Sequence, residues 1–317
     1  AYNTRIITKP GGSMIPTAPI KKNILLVAFA LGLLIPVVVI FIRENMNTRV
    51  RGRKDLDDLS VPFIGEIPLA ICGKKKVKSH EAHTIVVKEG SRDIMNEAFR
   101  VLRTNLEFMI GKDRSSNVIV ITSFNPGSGK SFLTMNIAMS LAIKNKKVLV
   151  IDGDLRHASA SAYIHSPEVG LSNYLGGQVD ELSDIIVTDK QHPSFSFIPV
   201  GTIPPNPTEL LFNDRLQDAI HTLKQQYDVV LIDCPPVELV ADTQIIEKWA
   251  DRTVFVVRAG LLERSMLPEL ENIYREKKYK NMSVILNGTE GAGGRYGYRY
   301  GYRYGYGSGS YYGSSSK

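Results

Sequence analysis

NVIVITSFNPGSGKSFLTMNIAMSLAIK, residues 117–144, decides the fold. Its first part, NVIVITS, is a short apolar run typical of a buried strand, and SFLTMNIAMSLAIK has the length and composition of a helix. Between them lies a glycine-rich turn whose end, GSGKS, matches the second half of a P-loop. The full pattern GxxxxGK(S/T) requires glycine at position 124, where this chain has Phe124. A chance glycine turn is the alternative, but the position between a strand and a helix is the context that the motif needs.

In a P-loop, backbone N–H groups at a helix N-terminus hold phosphate oxygens. Lys130 would reach the β- and γ-phosphates and the Ser131 hydroxyl would bind Mg²⁺. The residues that we expect to contact a nucleotide here are Pro126, Gly127, Ser128, Gly129, Lys130, Ser131 and Phe132.

Further apolar runs alternate with helical segments along the chain. The helical segments are DIMNEAFRVLRTNLEFMI (93–110) and TELLFNDRLQDAIHTLKQQY (208–227), and the strand-like runs are KKVLVIDGD (146–154), FSFIPVG (195–201), DVVLIDCPP (228–236), RTVFVVRAG (252–260) and MSVILNG (282–288). Strands that alternate with helices predict an α/β fold with a parallel sheet covered by helices on both faces. With the glycine-rich turn, this is a P-loop NTPase-type architecture.

Three carboxylates follow strand-like runs at their C-terminal ends: Asp152 and Asp154 in LVIDGDLR, and Asp233 in VVLIDCPP. Ligands of open α/β sheets bind where the C-terminal ends of the strands converge. Carboxylates there can hold Mg²⁺ directly or through water. A single aspartate at such a place usually caps a helix or forms a turn, but three of them around a P-loop indicate a metal–nucleotide site.

A membrane span is predicted near the N-terminus. ILLVAFALGLLIPVVVIFI, residues 24–42, has 19 residues without a charge, and about 20 are needed to cross a bilayer; a buried core helix is the alternative. The following RENMNTRVRGRK carries five Arg or Lys, against three Lys in the 15 residues before the span, which places the C-terminal side in the cytoplasm. The chain begins at Ala1 without an initiator Met, so we expect it to be part of a longer protein.

The last part of the chain is of low complexity. RYGYRYGYRYGY (295–306) repeats one tetrapeptide, and eight of the 14 tyrosines lie in the last 22 residues. Gly, Ser and Arg between the aromatic residues leave no apolar face to bury, so we expect a disordered tail. Such a tail could stack on nucleic-acid bases, drive self-association, or be the substrate of an enzyme that modifies tyrosine.

Together these features predict five parts. They are an extracytoplasmic stub (1–22), a transmembrane helix (23–42), a juxtamembrane linker (43–90), a P-loop domain (91–288) and a tyrosine-rich tail (289–317).

The motifs resemble those of the bacterial tyrosine kinases, or BY-kinases. GSGKS, VLVIDGDLR and VVLIDCPP are similar to the Walker A, A′ and B motifs of that family. FNPGSGK lacks the early second lysine of the related partitioning ATPases. NEAFRVLR, with Glu97, Arg100 and Arg103, matches the family's ExxRxxR motif, and the tail matches its tyrosine cluster. The span followed by SVPFIGEIP looks like the end of a polysaccharide co-polymerase domain, with its second transmembrane helix.

The resemblance implies ATP and Mg²⁺ as cofactors and a role for each catalytic residue: Lys130 for charge stabilisation, Asp152 as the base, and Ser131, Asp154 and Asp233 on the Mg²⁺ side. Asn287 would contact adenine by analogy with related NTPases, although a satisfied turn asparagine explains it equally well.

The resemblance also implies assembly and a substrate. Glu97, Arg100 and Arg103 would contact a neighbouring subunit in a ring, an octamer in this family; a surface Glu97–Arg100 pair within one helix is the simpler alternative. The phosphoacceptors would be the eight tail tyrosines, Tyr296, Tyr298, Tyr300, Tyr302, Tyr304, Tyr306, Tyr311 and Tyr312.

Three functions therefore compete. The first is a tyrosine autokinase in the bacterial inner membrane, with its kinase domain in the cytoplasm, that phosphorylates its own tail in trans and regulates capsule or exopolysaccharide polymerisation and export. Its partners would be the polymerase and export machinery and a tyrosine phosphatase. The second is a structural co-polymerase whose assembly is switched by nucleotide. The third, a nucleic-acid-binding ATPase, is disfavoured because the net charge of +7 is moderate and the chain is tethered to a membrane, so no nucleic-acid partner is expected.

Overall fold

The computed structural model describes most of the chain, namely residues 12, 21–45, 47–69, 83–111, 117–237 and 241–290. It divides into two units, residues 1–48 and residues 49–317. The predicted tyrosine tail, from residue 291 onward, and nearly all of the predicted stub lie outside the described residues.

The first unit contains one long apolar helix. Helix α1 spans Lys21–Asn45, with Pro36 inside it. An 18-residue window in its segment Lys21–Ile42 has a mean hydropathy of 3.1, and none of that window is buried. By length and composition this segment can cross a membrane.

The second unit is built on one sheet. Within the described residues the sheet has eight strands in the order β1-β8-β7-β2-β6-β3-β5-β4. All neighbouring strands run parallel except β4, which is antiparallel to β5. The strands are β1 (Phe63–Pro68), β2 (Val118–Thr122), β3 (Val148–Asp152), β4 (Val187–Thr188), β5 (Phe195–Ile198), β6 (Val229–Asp233), β7 (Arg252–Arg258) and β8 (Ser283–Thr289).

Helices cover both faces of this sheet. Side chains alternate between the faces of each strand: in β2, Ile119 and Ile121 pack with helices α2 and α3, whereas Val118 and Val120 pack with α6 on the other face. Helix α8 covers β7 and β8 on that second face. The helices are α2 (Ile94–Ile110), α3 (Lys130–Ala142), α4 (Leu171–Leu175), α5 (Pro207–Leu211), α6 (Asp214–Gln226), α7 (Asp242–Glu247) and α8 (Leu267–Arg275). The predicted α/β fold with a parallel sheet is confirmed.

Part of the expected linker 43–90 belongs to the sheet. Strand β1 pairs in parallel with β8 along one edge, and its Ile64 and Ile67 are 2% and 0% exposed in the core. The second compact unit begins at Arg49, so a domain that starts at residue 91 is too short. The strand was missed because six residues with only two buried apolar side chains give no clear period.

The predicted helix 208–227 is two helices. Helix α5 ends at Leu211, and α6 begins at Asp214. Asn213 lies between them with an extended backbone, and its side chain accepts a hydrogen bond from the backbone N–H of Arg215. An asparagine N-cap of this kind starts a new helix.

We expect Ile67→Ala to lower the free energy of unfolding by about 2–5 kcal/mol, because it removes a fully buried side chain and leaves a cavity. Glu66→Ala, at the exposed neighbouring position of the same strand, is the matched control and should change it by less than about 0.5 kcal/mol. Urea denaturation of the chain in detergent measures both. Equal and small effects would mean that residues 63–68 behave as a linker in solution.

Candidate active site

The P-loop lies between β2 and α3, at the C-terminal edge of the sheet. Gly127 and Gly129 have φ angles of +73° and +87°, which glycine adopts without strain. The hydroxyls of Ser123 and Ser128 both donate to the backbone carbonyl of Asn125 at 2.7 Å and close the loop. Helix α3 begins at Lys130, so its first N–H groups are available to an anion.

Asn287 holds the P-loop from β8, which is separated from β2 by β7 in the sheet. Its side-chain amide donates to the carbonyl of Ser128 at 2.8 Å, and the residue is only 3% exposed. A Cβ on Gly129 would collide with this amide nitrogen, and the positive φ of Gly129 also favours glycine at this position. Asn287 is thus a hydrogen-bonded residue that binds the P-loop. The expected contact of Asn287 with adenine stays a prediction.

The acidic residues meet beside the P-loop. Asp152 and Asp233 are register partners at the ends of β3 and β6, and β6 is also the neighbour of β2. The Ser131 hydroxyl donates to Oδ2 of Asp233 at 2.5 Å. The sequence prediction that these strand ends converge on Lys130 and Ser131 therefore agrees with the geometry.

Asp152 is buried and held by Ser161. Its Oδ2 accepts hydrogen bonds from the backbone N–H and the hydroxyl of Ser161, both at 2.7 Å. Burial, and after it repulsion from the Asp233 carboxylate, raises the pKa of Asp152 to about 8. Burial also raises the pKa of Asp233, to about 6, against the opposing effects of Lys130 and the Ser131 hydroxyl. Two carboxylates this close disfavour their shared ionisation.

Asp154 lies nearer the surface, at 6% exposed. Its Oδ1 accepts from the backbone N–H groups of Arg156 and His157 at 3.3 and 3.1 Å. Among the described residues, no hydrogen bond reaches its Oδ2. One oxygen of Asp154 is therefore open to a ligand.

Asp242 stabilises the loop beside the acidic residues, and the sequence analysis did not predict this role. It is fully buried and binds the Arg156 guanidinium at 2.9 Å. Its Oδ1 also accepts from the Thr208 hydroxyl at 2.7 Å. This network ties the loop after β3 to α5 and α7. No strand end or motif marks Asp242 in the sequence, so only its tertiary contacts identify it.

The residues present fit a nucleotide with Mg²⁺. Oδ1 of Asp233 is buried and has no hydrogen-bond partner in the described part of the chain, which is costly unless a cation or ligand satisfies it. Carboxylate and hydroxyl oxygens are the ligands that Mg²⁺ prefers. In the described ranges no three His, Cys, Asp or Glu side chains form a metal cluster by themselves. Mg²⁺ would therefore also depend on the Ser131 hydroxyl and on phosphate oxygens.

The ExxRxxR residues separate into two groups. Glu97 and Arg100 form an exposed ion pair at 2.5 Å on α2. Arg103, by contrast, is 8% exposed and donates to the backbone carbonyl of Ser140 on α3 at 2.9 Å. Arg103 lies on the face of α2 that packs on α3 and is bound to it within the subunit; its expected contact with a neighbouring subunit stays a prediction.

Comparison with known proteins assigns the family. A family model described as an AAA domain matches residues 116–283. The kinase domain of Escherichia coli tyrosine kinase ETK is 30% identical, with 81% of this chain and 100% of that domain covered at a TM-score of 0.68. The BceF tyrosine kinase domain is 34% identical, with 76% and 99% covered and a TM-score of 0.65. The chain belongs to the bacterial tyrosine kinase family.

The match to full-length relatives is partial. Tyrosine-protein kinase Wzc of Salmonella typhimurium is 31% identical over 293 residues, which are 89% of this chain and 39% of Wzc. The chain thus spans about two fifths of the length of the curated relatives that it matches. The resemblance to BY-kinases drawn from the motifs is confirmed.

We expect the metal-free protein to lose stability as the pH rises from about 4 to about 8. The folded-state pKa values of Asp152 and Asp233 lie above the unfolded value of 3.8, so the folded state binds more protons than the unfolded state throughout this window. Well below pH 4 both carboxyl groups are protonated in the folded and in the unfolded state, so they no longer lower the free energy of unfolding. Urea unfolding in EDTA at several pH values measures the slope.

Asp152→Asn should make this slope shallower, because it removes one of the two buried carboxylates. Asp218→Asn, at an exposed position of α6, removes the same charge and should leave the slope unchanged. If Asp152→Asn has the same pH dependence of the free energy of unfolding as the wild-type chain, the raised pKa of Asp152 is not its cause.

Proposed function

We propose that this chain is the cytoplasmic kinase part, with its membrane anchor, of a tyrosine autokinase that uses ATP and Mg²⁺. It phosphorylates the tyrosine cluster of a neighbouring copy within a ring-shaped homo-oligomer. The observation that carries the proposal is the buried Asp152–Asp233 pair, which meets the P-loop Ser131 hydroxyl in a domain of the tyrosine kinase family.

Each side chain has a role that follows from its position. Mg·ATP supplies the phosphoryl group. The N–H groups at the start of α3 and the Lys130 ammonium bind the phosphates and stabilise the charge that develops on transfer. Ser131, Asp233 and Asp154 hold the metal side of the site. Asp152 would accept the proton of the tyrosine hydroxyl in its ionised form, which the charge of bound Mg²⁺ would favour over the protonated form, and Ser161 orients it.

The tail can reach an active site by length alone. β8 ends at Thr289, on the same edge of the sheet as the P-loop. The first tail tyrosine, Tyr296, is six residues beyond Glu290, and six extended residues span up to about 20 Å. Glycine beside nearly every tyrosine keeps the segment narrow enough to enter a site.

An apolar stripe on α2 supports self-association. Ile94, Val101 and Phe108 recur every seven residues, and are 74%, 55% and 88% exposed. A spacing of seven residues is close to two helical turns, so the three side chains form one row. Glu97 lies in the same row, with Arg100 beside it. A row of exposed apolar side chains is typical of a surface that another subunit covers.

We propose that α1 anchors the chain in the bacterial inner membrane with the kinase unit on the cytoplasmic side, and the basic residues after the span support this orientation. By family resemblance, we propose capsule or exopolysaccharide polymerisation and export as the regulated process. The export machinery and a tyrosine phosphatase would be the partners.

We expect the purified chain to acquire phosphotyrosine between Tyr296 and Tyr312 when it is incubated with ATP and Mg²⁺. Lys130→Met should lower the rate by about 100-fold or more, since it removes a phosphate-stabilising charge. Asp152→Asn should lower it by about 100- to 10,000-fold through loss of the proton acceptor. Phosphopeptide mapping by mass spectrometry, with initial rates, measures both.

EDTA is the matched control, because it should stop phosphorylation without any change in sequence. Tail phosphorylation that continues at an unchanged rate in Lys130→Met would point to a contaminating kinase and would contradict the autokinase proposal. Nucleotide binding that changes assembly but never yields phosphotyrosine would favour the structural co-polymerase instead.

We expect Phe108→Ser to shift the protein to smaller assemblies and to lower the phosphorylation rate per subunit, because it interrupts the exposed row on α2. Phe212→Ser is the matched control, since Phe212 is 63% exposed on another surface. Sedimentation in detergent and rate measurements over a dilution series test this. A rate per subunit that stays constant while sedimentation shows the assemblies separating into single subunits would show phosphorylation in cis and overturn the trans proposal.

A further inference from the structure

Arg258 lies against the P-loop on the side away from the acidic residues. It is the last residue of β7, and β7 is the other neighbour of β2. Its Nη1 is 3.3 Å from the position that a Cβ would take on Gly129, and its Cζ is 3.6 Å from the corresponding position on Gly288. The guanidinium therefore covers the last glycine of the P-loop, where the sequence reading placed no functional residue.

This guanidinium has no charge partner in the part of the chain that the structure describes. No carboxylate there lies within ion-pair distance of Arg258, and its side chain makes no hydrogen bond. Arg156, Arg264 and Arg275, by comparison, each bind a carboxylate. Arg258 is half-buried, so its guanidinium remains accessible from solvent, and the described residues leave its N–H donors without a partner. Its position is explained if an anion binds beside it.

The distribution of charges around the P-loop predicts how a bound phosphate chain would be oriented. Asp233 on β6 and Asp152 on β3 lie on one side of β2, and Arg258 on β7 lies on the other. Mg²⁺ and the terminal phosphate belong on the acidic side, since the carboxylates repel a phosphate that lacks a metal. The nucleoside end of the phosphate chain then extends toward β7.

We propose that Arg258 is a nucleotide-binding residue whose guanidinium donates to the phosphate chain at its nucleoside end. The inference rests on the proposed function, because it requires ATP or ADP in the P-loop. A planar guanidinium with several N–H donors suits two phosphate oxygens at once. The contact is made to a group that ATP and ADP share, and it needs no metal.

Isothermal titration of the full chain in detergent with ADP tests this, both with Mg²⁺ and in EDTA. Arg258→Gln should weaken ADP binding by about 10- to 100-fold, the usual effect of losing a charge-assisted hydrogen bond. The factor should be the same in both conditions. Ser131→Ala should weaken binding only when Mg²⁺ is present. Arg275→Gln, which removes the same charge from α8, should bind ADP within about twofold of the unsubstituted chain.

The outcomes separate this inference from the proposed function. If the unsubstituted chain binds no ADP in either condition, both are overturned. If it binds ADP and Arg258→Gln binds equally well, only the role of Arg258 is overturned. A loss confined to the Mg²⁺ condition would also overturn it, because Arg258 would then act by propping the loop that presents Ser131. If Arg258→Gln does not fold, Arg258→Lys replaces it, and the expected result is a smaller loss that is again independent of Mg²⁺.

Discussion

Asp152 and Asp233 face each other on adjacent strands inside the sheet, and the rest of the site compensates for these two buried carboxylates. Their pKa values are raised because water cannot solvate them and each repels the other's charge. Ser161 donates to one and Ser131 to the other. Lys130 contributes the nearby positive charge. Oδ1 of Asp233 remains without a hydrogen-bond partner among the described residues, and a cation could bind to it there.

The compensation also explains why the P-loop is so tightly fixed. Ser131 can reach Asp233 only if α3 starts at Lys130, and that start depends on the left-handed backbone at Gly129. The Asn287 amide binds the carbonyl of Ser128 and lies where a Cβ on Gly129 would be, so glycine suits position 129. Two hydrogen bonds therefore fix the conformation of the P-loop. Ser131 donates to Asp233 on one side, and Asn287 donates to the Ser128 carbonyl on the other.

The sequence was sufficient for the features that are local. A glycine turn between an apolar strand and a helix has a fixed spacing, and strand-end aspartates must meet at one edge of a parallel sheet. The P-loop, the acidic cluster and the fold class were therefore predictable. The resemblance to BY-kinases depended on the same short motifs.

Features that depend on distant contacts were not predictable. Strand β1 is identified by its pairing with β8, more than 200 residues later in the chain. The position of Arg103 depends on which face of α2 packs on α3, and the ExxRxxR spacing does not contain that information. Arg258 and Asp242 gain significance only from the residues beside them. A single sequence records none of these relationships.

Reach alone does not decide between phosphorylation in cis and in trans. Three strand spacings separate β8, where the tail begins, from β6 and Asp233, and at about 4.8 Å each they amount to about 14 Å. Six extended residues can cover that distance, so a tail can in principle approach its own subunit's site. A preference for the neighbour must then come from how the subunits are held together. The exposed row on α2 is the feature of the described chain that could impose it, and this makes assembly part of the site's specificity.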